Sequence, residues 1–151
     1  MSTSQRRDKL ALLHEEIAKL HAAGEHLAWS MQRCQALIQH SPWSAEDLER
    51  LESLASRFAR FADLLTQRLM RLADDLELDA PGSLLDRIRR AEKRGWVNQD
   101  GRLVRIREIR NLIAHEYEDA ELAELYRAIL EATPDLLAVI PHVQSWATRI
   151  H

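Results

Sequence analysis

The sequence predicts an all-α, up-and-down helical bundle forming one domain over residues 1–151, and three observations carry that prediction. Glycine and proline number only four each in 151 residues, below their usual shares, so tight turns are few. Apolar residues recur three and four apart over long runs, while no segment alternates as a half-buried strand does. The hydrophobic share of 46% and the length both fit one packed domain and exclude a disordered chain.

The elements follow in order. Leu10, Leu13, Ile17, Leu20, Leu27, Met31, Cys34 and Ile38 lie three, four or seven apart, which predicts a first helix over 5–39 that Gly24 interrupts without ending. His40-Ser41-Pro42-Trp43-Ser44 reads as a loop, with Ser44 as N-cap and Asp47 three residues on completing a short capping box. A second helix over 45–78 carries Leu48, Leu51, Ala55, Phe58, Ala62, Leu65, Leu69, Leu72 and Leu76 in unbroken three–four alternation, the pattern of a packed seam. At a rise of about 1.5 Å per residue it would be about 51 Å long, longer than the diameter of about 40 Å of a compact domain this size. Two such helices make an elongated antiparallel hairpin whose overhang calls for a partner chain.

Ser83 with Asp86 opens a third helix that Gly95 closes. Trp96 to Gly101 is a loop ending in an Asp-Gly turn. A fourth helix runs from near Arg102 to about Tyr117 and a fifth from about Asp119 to Ala132. Thr133-Pro134-Asp135 reads as a cap followed by proline at the first helical position, starting a sixth helix that reaches about Arg149. Short connections make successive helices antiparallel.

Several function classes are excluded at this level. The single cysteine, Cys34, rules out an intrachain disulfide and a cysteine-based zinc site. No run reaches the roughly 18 apolar residues of a membrane span, and the apolar patch after Lys9 is too short for a signal peptide, so a soluble cytoplasmic protein is expected. The net charge of -3 hides a basic segment: between Ser83 and Arg110 stand nine Lys/Arg against four acids. Such a segment is either an anion-binding surface or a solvated helix face laced with salt bridges.

The fourth helix breaks its own pattern. With Ile106 set at 0° and about 100° per residue, Leu103, Ile109 and Ile113 define an apolar stripe, and Arg110 lands inside it at about 40°. A guanidinium there needs a partner, a ligand or a wet cleft, because an unpaired buried charge is unfavourable. His115 and Asn111 fall on the opposite face, about 140° and 100° from Arg110 on a regular helix. A two-fold axis bringing two copies together, or a bend at the helix end, would reconcile Arg110 with His115.

The run Arg110-Asn111-Leu112-Ile113-Ala114-His115-Glu116-Tyr117 matches the Arg-x4-His-x-Tyr motif of HEPN-domain proteins, with a polar residue directly after the arginine. The chain resembles the HepT-like branch, the toxin halves of two-gene toxin–antitoxin modules, also in its length, its helical content and the position of the motif after two long helices. The resemblance implies a HEPN-like bundle and a metal-independent endoribonuclease that needs no cofactor and works as a homodimer with its active site at the dimer cleft. It further implies that Arg110 and His115 are catalytic, that Asn111 supports them, and that Tyr117 is the tyrosine to which a minimal nucleotidyltransferase antitoxin adds AMP. Proteins of this kind also serve as non-catalytic subunits that present a substrate to such a nucleotidyltransferase, which is the alternative reading.

The chemistry suits these residue types. Attack of a ribose 2′-OH on the adjacent phosphate needs a proton acceptor or donor near neutral pH, the range in which imidazoles titrate. It also needs a fixed cation for the charge growing on the phosphorane oxygens, which a guanidinium supplies. Arg102, Arg105 and Arg107 are candidates for holding the RNA backbone, with Arg87, Arg90, Lys93 and Arg94 as further ones. Elsewhere, His14 and His21 with Glu25 share a helix face but fall short of a convergent metal set. The tryptophans at 29, 43, 96 and 146 are read as core or interface residues and Asp74-Asp75 as solvated surface.

Overall fold

The computed structural model of the chain describes every residue except Ser41 and Glu116, and all but the side chain of Asp119. Ser41 of the expected loop and Glu116 of the motif therefore lie outside the described residues. Helix follows helix: α1 (Thr3–Cys34), extended by a 3-10 turn (Gln35–Gln39); α2 (Ala45–Asp63), a π-helical turn (Leu64–Leu69) and α3 (Met70–Leu76); then α4 (Leu84–Lys93), α5 (Arg102–Ile113), α6 (Asp119–Leu137) and α7 (Val139–Ala147). No strand occurs among the described residues. The all-α bundle expected from the sequence is the one observed.

Serine opens three of these helices. Ser2, Ser44 and Ser83 each accept a hydrogen bond from the backbone N–H three residues on, and Gln5, Asp47 and Asp86 reach back to the serine's own N–H. Each box satisfies donors that a helix start otherwise leaves open, worth about 1 kcal/mol. Gly95 closes α4 as expected, with φ +85°. The Gly95 N–H donates to Glu92 O at 3.0 Å and the Trp96 N–H to Ala91 O at 3.1 Å, the two bonds of a Schellman cap. That cap drops Trp96 into the core, where it is fully buried against Trp146 at 5.3 Å between ring centroids.

The seam of the second long helix is buried from Leu51 to Leu76, with Leu48 half-buried at its start, but the helix is not regular. After Asp63 it takes a π turn, in which the Met70 N–H bonds to Leu65 O, and the Thr66 hydroxyl donates to Ala62 O at 2.8 Å. An extra residue in one turn slides the core-facing edge one position later, and Thr66, Met70 and Ala73 join Leu65 and Leu69 in the interior. Gly24 sits inside α1 for a packing reason. A Cβ there would lie 2.6 Å from Ile140 Cδ1 and 3.3 Å from Phe61 Cε2, so its absence lets α7 and α2 approach α1 closely.

Two expectations are corrected here. Helix α6 runs through Thr133 and Pro134 to Leu137 instead of restarting there, and the break falls at Ala138. Thr133 is fully buried and its hydroxyl donates to Ile129 O at 2.6 Å, serving the preceding turn and not a cap. Asp74 is also not surface: it is 6% exposed, because α4 folds back over the outer side of α3. Arg94 Nη2 lies 2.7 Å from Asp74 Oδ1 and Arg90 Nη1 3.0 Å from Oδ2. Arg94 also reaches Glu77 and Asp79, each at 2.8 Å, and the Trp146 indole donates to Glu77 at 2.8 Å. Its neighbour Asp75 remains exposed and pairs with Lys9 at 2.9 Å. No described helix is long and apolar enough to cross a membrane.

Candidate functional site

Helix α5 is pinned by Leu103, Ile106 and Ile109, all buried. Arg107, Arg110, Asn111 and Ala114, at helical spacing, line a groove of about 390 Å³. Its other walls are Ala62, Asp63, Thr66 and Gln67, where α2 passes into the π turn, and Leu84 at the start of α4. π turns recur at functional sites because they re-aim the side chains around them.

Arg110 is the centre of this groove. Its Nε lies 2.8 Å from Asp63 Oδ1 and its Nη2 3.0 Å from Oδ2, a two-pronged carboxylate grip. The hydrogen bonds from Asp63 raise the Arg110 pKa above the ordinary guanidinium value, outweighing the lowering effect of burial. The Arg110 side chain keeps 31% of its surface exposed and that of Asp63 45%. Of the readings open for an arginine in an apolar stripe, partner and wet cleft hold together. Asp63 is the residue that sequence reasoning missed. Its only signal is the demand of Arg110 for a carboxylate, which does not say which helix supplies it.

The expected fourth helix is shorter than its periodicity suggests. It ends at Ile113, where Ala114 and His115 bond back three residues to Asn111 O and Leu112 O at 3.4 and 3.1 Å, the tightened geometry of a closing turn. His115 therefore lies beyond the regular helix, and its angular separation from Arg110 on a helical wheel does not apply. It is exposed, and its ring stands edge-on to that of Tyr117, 6.4 Å between centroids at 83°. Tyr117 is half-buried and packs against the core. Arg110 and Asn111 thus share the groove wall, while His115 and Tyr117 form a second pair just past the helix end.

The remaining basic residues divide. Arg102 is tied to Asp135 and Gln99, and Arg105 lies 3.5 Å from Glu108 on the exposed face. Arg107 faces the groove. Arg90 and Arg94 are held by the Asp74 network, so part of the basic segment is internally neutralised. Trp29 is not a core residue: it is 55% exposed, with the Arg33 guanidinium 4.6 Å from the ring centroid. His21 pairs with Glu25 at 3.3 Å, and the described residues hold no cluster of three or more His, Cys, Asp or Glu placed to bind a metal.

Comparison with known proteins bears on this arrangement. The sequence model of one family, described as Ribonuclease HepT-like, matches residues 29–143, well over half of the chain and inclusive of the whole Arg110–Tyr117 motif. No curated protein and no solved structure matches the chain.

Proposed function

The chain belongs to the HepT-like ribonuclease family, and from that premise we propose that it is an endoribonuclease toxin whose catalytic groups are Arg110 and His115. The observation that carries the reading is the placement of Arg110. Its charge is fixed by Asp63 in the wall of an open groove, within one turn of the residue that leads to His115. A planar cation so held stabilises charge growing on a phosphate without reorganising during the reaction.

In the proposed reaction the 2′-OH oxygen of the RNA attacks the adjacent phosphorus. The O2′–P bond forms, the P–O5′ bond breaks, and a proton leaves the 2′-OH while another reaches the departing 5′ oxygen. His115 handles one of these protons, Arg110 neutralises the non-bridging oxygens, and Asn111 orients the phosphate from the same groove wall. Arg107 holds the strand in the groove, with Arg102 and Arg105 as flanking positive charge. These groups supply the chemistry without a metal, so cleavage persists in a chelator.

The functional unit is a homodimer, a reading supported by Leu112, which is 40% exposed beside Asn111 and follows the helix face that leads to His115. A two-fold axis at this face would line one cleft with both motifs. Tyr117, edge-on to His115, is the acceptor for AMP from a minimal nucleotidyltransferase antitoxin. Bulky anionic groups there would obstruct the cleft and repel RNA.

The Asp63 grip also favours a second reading. An arginine already neutralised suits a non-catalytic subunit that presents a substrate to the nucleotidyltransferase. One experiment separates them: the protein is produced alone and with such a partner, and RNA cleavage and intact mass are measured. Cleavage lost in Arg110→Ala and in His115→Ala, with AMP-sized additions lost in Tyr117→Phe, supports the toxin. Absence of cleavage under every condition transfers the assignment to the presenting subunit.

A further inference from the structure

Among the described residues Trp29 is the only Trp, Tyr or Phe side chain left mostly in solvent. It stands on α1 in the wall of a hollow of about 450 Å³ between α1 and α2. Ser30, Arg33, Arg50 and Ser53 line the hollow with it, and Glu46 and Glu49 line the end where α2 begins. Two guanidiniums lie over the indole, that of Arg33 at 4.6 Å from the ring centroid and that of Arg57 at 5.5 Å. Arg57 is fixed there, because its Nη1 donates to the hydroxyl of buried Ser30 at 2.7 Å and to His26 O at 3.2 Å. Arg33 is exposed. A tryptophan kept in water forgoes the gain of burial, which points to a surface that a ligand covers.

The hollow continues along the hairpin. A second one of about 370 Å³ is lined by Lys19, Ala22, Ala23, His26, Arg57 and Arg60. Arg57 is the post between the two, since it also reaches Trp29 and Ser30 of the first. From Lys19 to Arg33 the groove follows α1 for about 21 Å, at about 1.5 Å per residue. Beyond Glu46 and Glu49, every ion that lines it is a cation. Lys19 is paired with buried Glu16 at 3.1 Å. Arg33, Arg50 and Arg60 form no ion pair among the described residues. Arg60 precedes Asp63 by three residues on α2, about one turn along the helix and about 60° round it. Asp63 is the residue that grips Arg110. One turn of α2 therefore separates the end of this groove from the groove of Arg110.

We propose that the α1–α2 groove is an accessory site for single-stranded RNA, in which Trp29 stacks a base and Arg33, Arg57 and Arg60 meet phosphates on the way to Arg110. A base takes the place of the Arg33 guanidinium on the indole, and Arg33 turns to a phosphate, while Arg57 stays tied to Ser30. Aromatic faces for bases, with cations tracking the backbone, hold single strands with little regard to sequence. A second copy of the chain would bring the same cations and be repelled. An acidic protein surface could meet them, but the course of the groove toward the residue that holds Arg110 favours the strand. That the bound strand is the one cut rests on the ribonuclease reading; the binding does not.

Two measurements test this. The first titrates His115→Ala with a dye-labelled single-stranded oligouridylate and reads both tryptophan emission and the anisotropy of the dye. Trp96 and Trp146 are buried and Trp43 is half-buried, so the strand is expected to quench Trp29 above all. Adding Trp29→Leu is expected to remove the quenching and to weaken binding about fivefold or more, whereas Trp29→Phe retains most of the affinity. Arg33→Gln and Arg60→Gln are each expected to weaken binding several-fold and to flatten the slope of log K against log salt by about 0.7. Arg7→Gln, exposed on α1 outside the groove, serves as reference and is expected to change neither. The second measurement, with His115 intact, compares KM for a long strand and for a dinucleotide. Trp29→Leu is expected to shrink the advantage of the long strand several-fold, an effect that loss of folded protein, acting on both substrates alike, does not produce. Binding and KM that are indifferent to Trp29, Arg33 and Arg60 overturn the accessory site and leave the ribonuclease reading intact. Binding that depends on Trp29 in a chain that cleaves no RNA keeps the site and overturns the ribonuclease reading. RNA binding unchanged in Trp29→Leu, together with lost association with a nucleotidyltransferase partner, overturns the site in favour of a protein-docking surface.

Discussion

Asp63 acts on Arg110 through geometry more than through stability. Because both side chains keep substantial solvent contact, their attraction is screened, and removing it changes folding by no more than about 1 kcal/mol. Losing the orientation of Arg110 has a larger effect on the chemistry. Asp63→Asn is expected to lower RNA cleavage at least tenfold with Tm nearly unchanged, and Asp63→Ala combined with Arg110→Ala to be far from additive in a cleavage assay. The carboxyl of Glu77 behaves differently. Burial pushes its pKa up, yet hydrogen bonds from Arg94 and the Trp146 indole, with the charge of Arg94, hold it below the usual value. A carboxyl lowered on folding contributes stability that is present above its unfolded value, about 4.3, and lost as pH falls through the lower folded one. Thermal unfolding followed from pH 6 to pH 3 should therefore show a declining Tm, with a shallower decline in Glu77→Gln. At this scale Arg110 was legible because it violates a stripe that one helix defines by itself. Asp63 and the burial of Asp74 were not, because each depends on which helix packs alongside.

Helix starts were the most legible elements. Ser44 with Asp47 and Ser83 with Asp86 announce themselves within four residues, and the bonds form as expected. Ser44→Ala should lower stability by about 1 kcal/mol in denaturant unfolding. Gly95→Ala should also lower it, by about 1 kcal/mol, because φ +85° is strained for any side chain. The π turn left no sequence mark, since a seven-residue repeat of apolar residues passes through it unbroken. The end of α5 was equally silent: no glycine or proline stands near Ile113, and the helix closes through short-range bonds at a site where the chain must turn toward α6. At Thr133-Pro134 the local signal was real but outvoted. Ile129, Ala132, Thr133 and Leu136 are all buried, and packing that stripe carries the helix across a proline whose missing N–H the side chain of Thr133 does not replace. Amide exchange is expected to show α6 protected as one element on both sides of Pro134, up to the Ala138 N–H that donates to Pro134 O at 3.0 Å.

For the whole molecule, the basic segment splits into two parts with different work. Arg90 and Arg94 lock α4 to the end of α3 and, through Glu77, to Trp146 of α7, whereas Arg107 and Arg110 face the groove. Charge counting found the segment and could not divide it, because pairing is a property of the folded arrangement. The same holds for assembly. If the exposed Leu112 lies in a two-fold interface, Leu112→Glu should convert dimer to monomer in light scattering and reduce cleavage in parallel, with helix content unchanged. A monomer with full activity would remove the shared-cleft arrangement while leaving the Arg110 groove in place.

The one thiol of the chain offers a clock for its motions. Cys34 is fully enclosed where α1 gives way to its 3-10 extension, its Sγ–H donating to Arg50 O across the α1–α2 hairpin at 3.3 Å, and burial raises its pKa. A thiol reagent can reach it only when that end of the hairpin opens. The rate of labelling thus counts opening events directly, and any ligand or partner that clamps the two long helices together will slow it, whether or not it touches the sulfur.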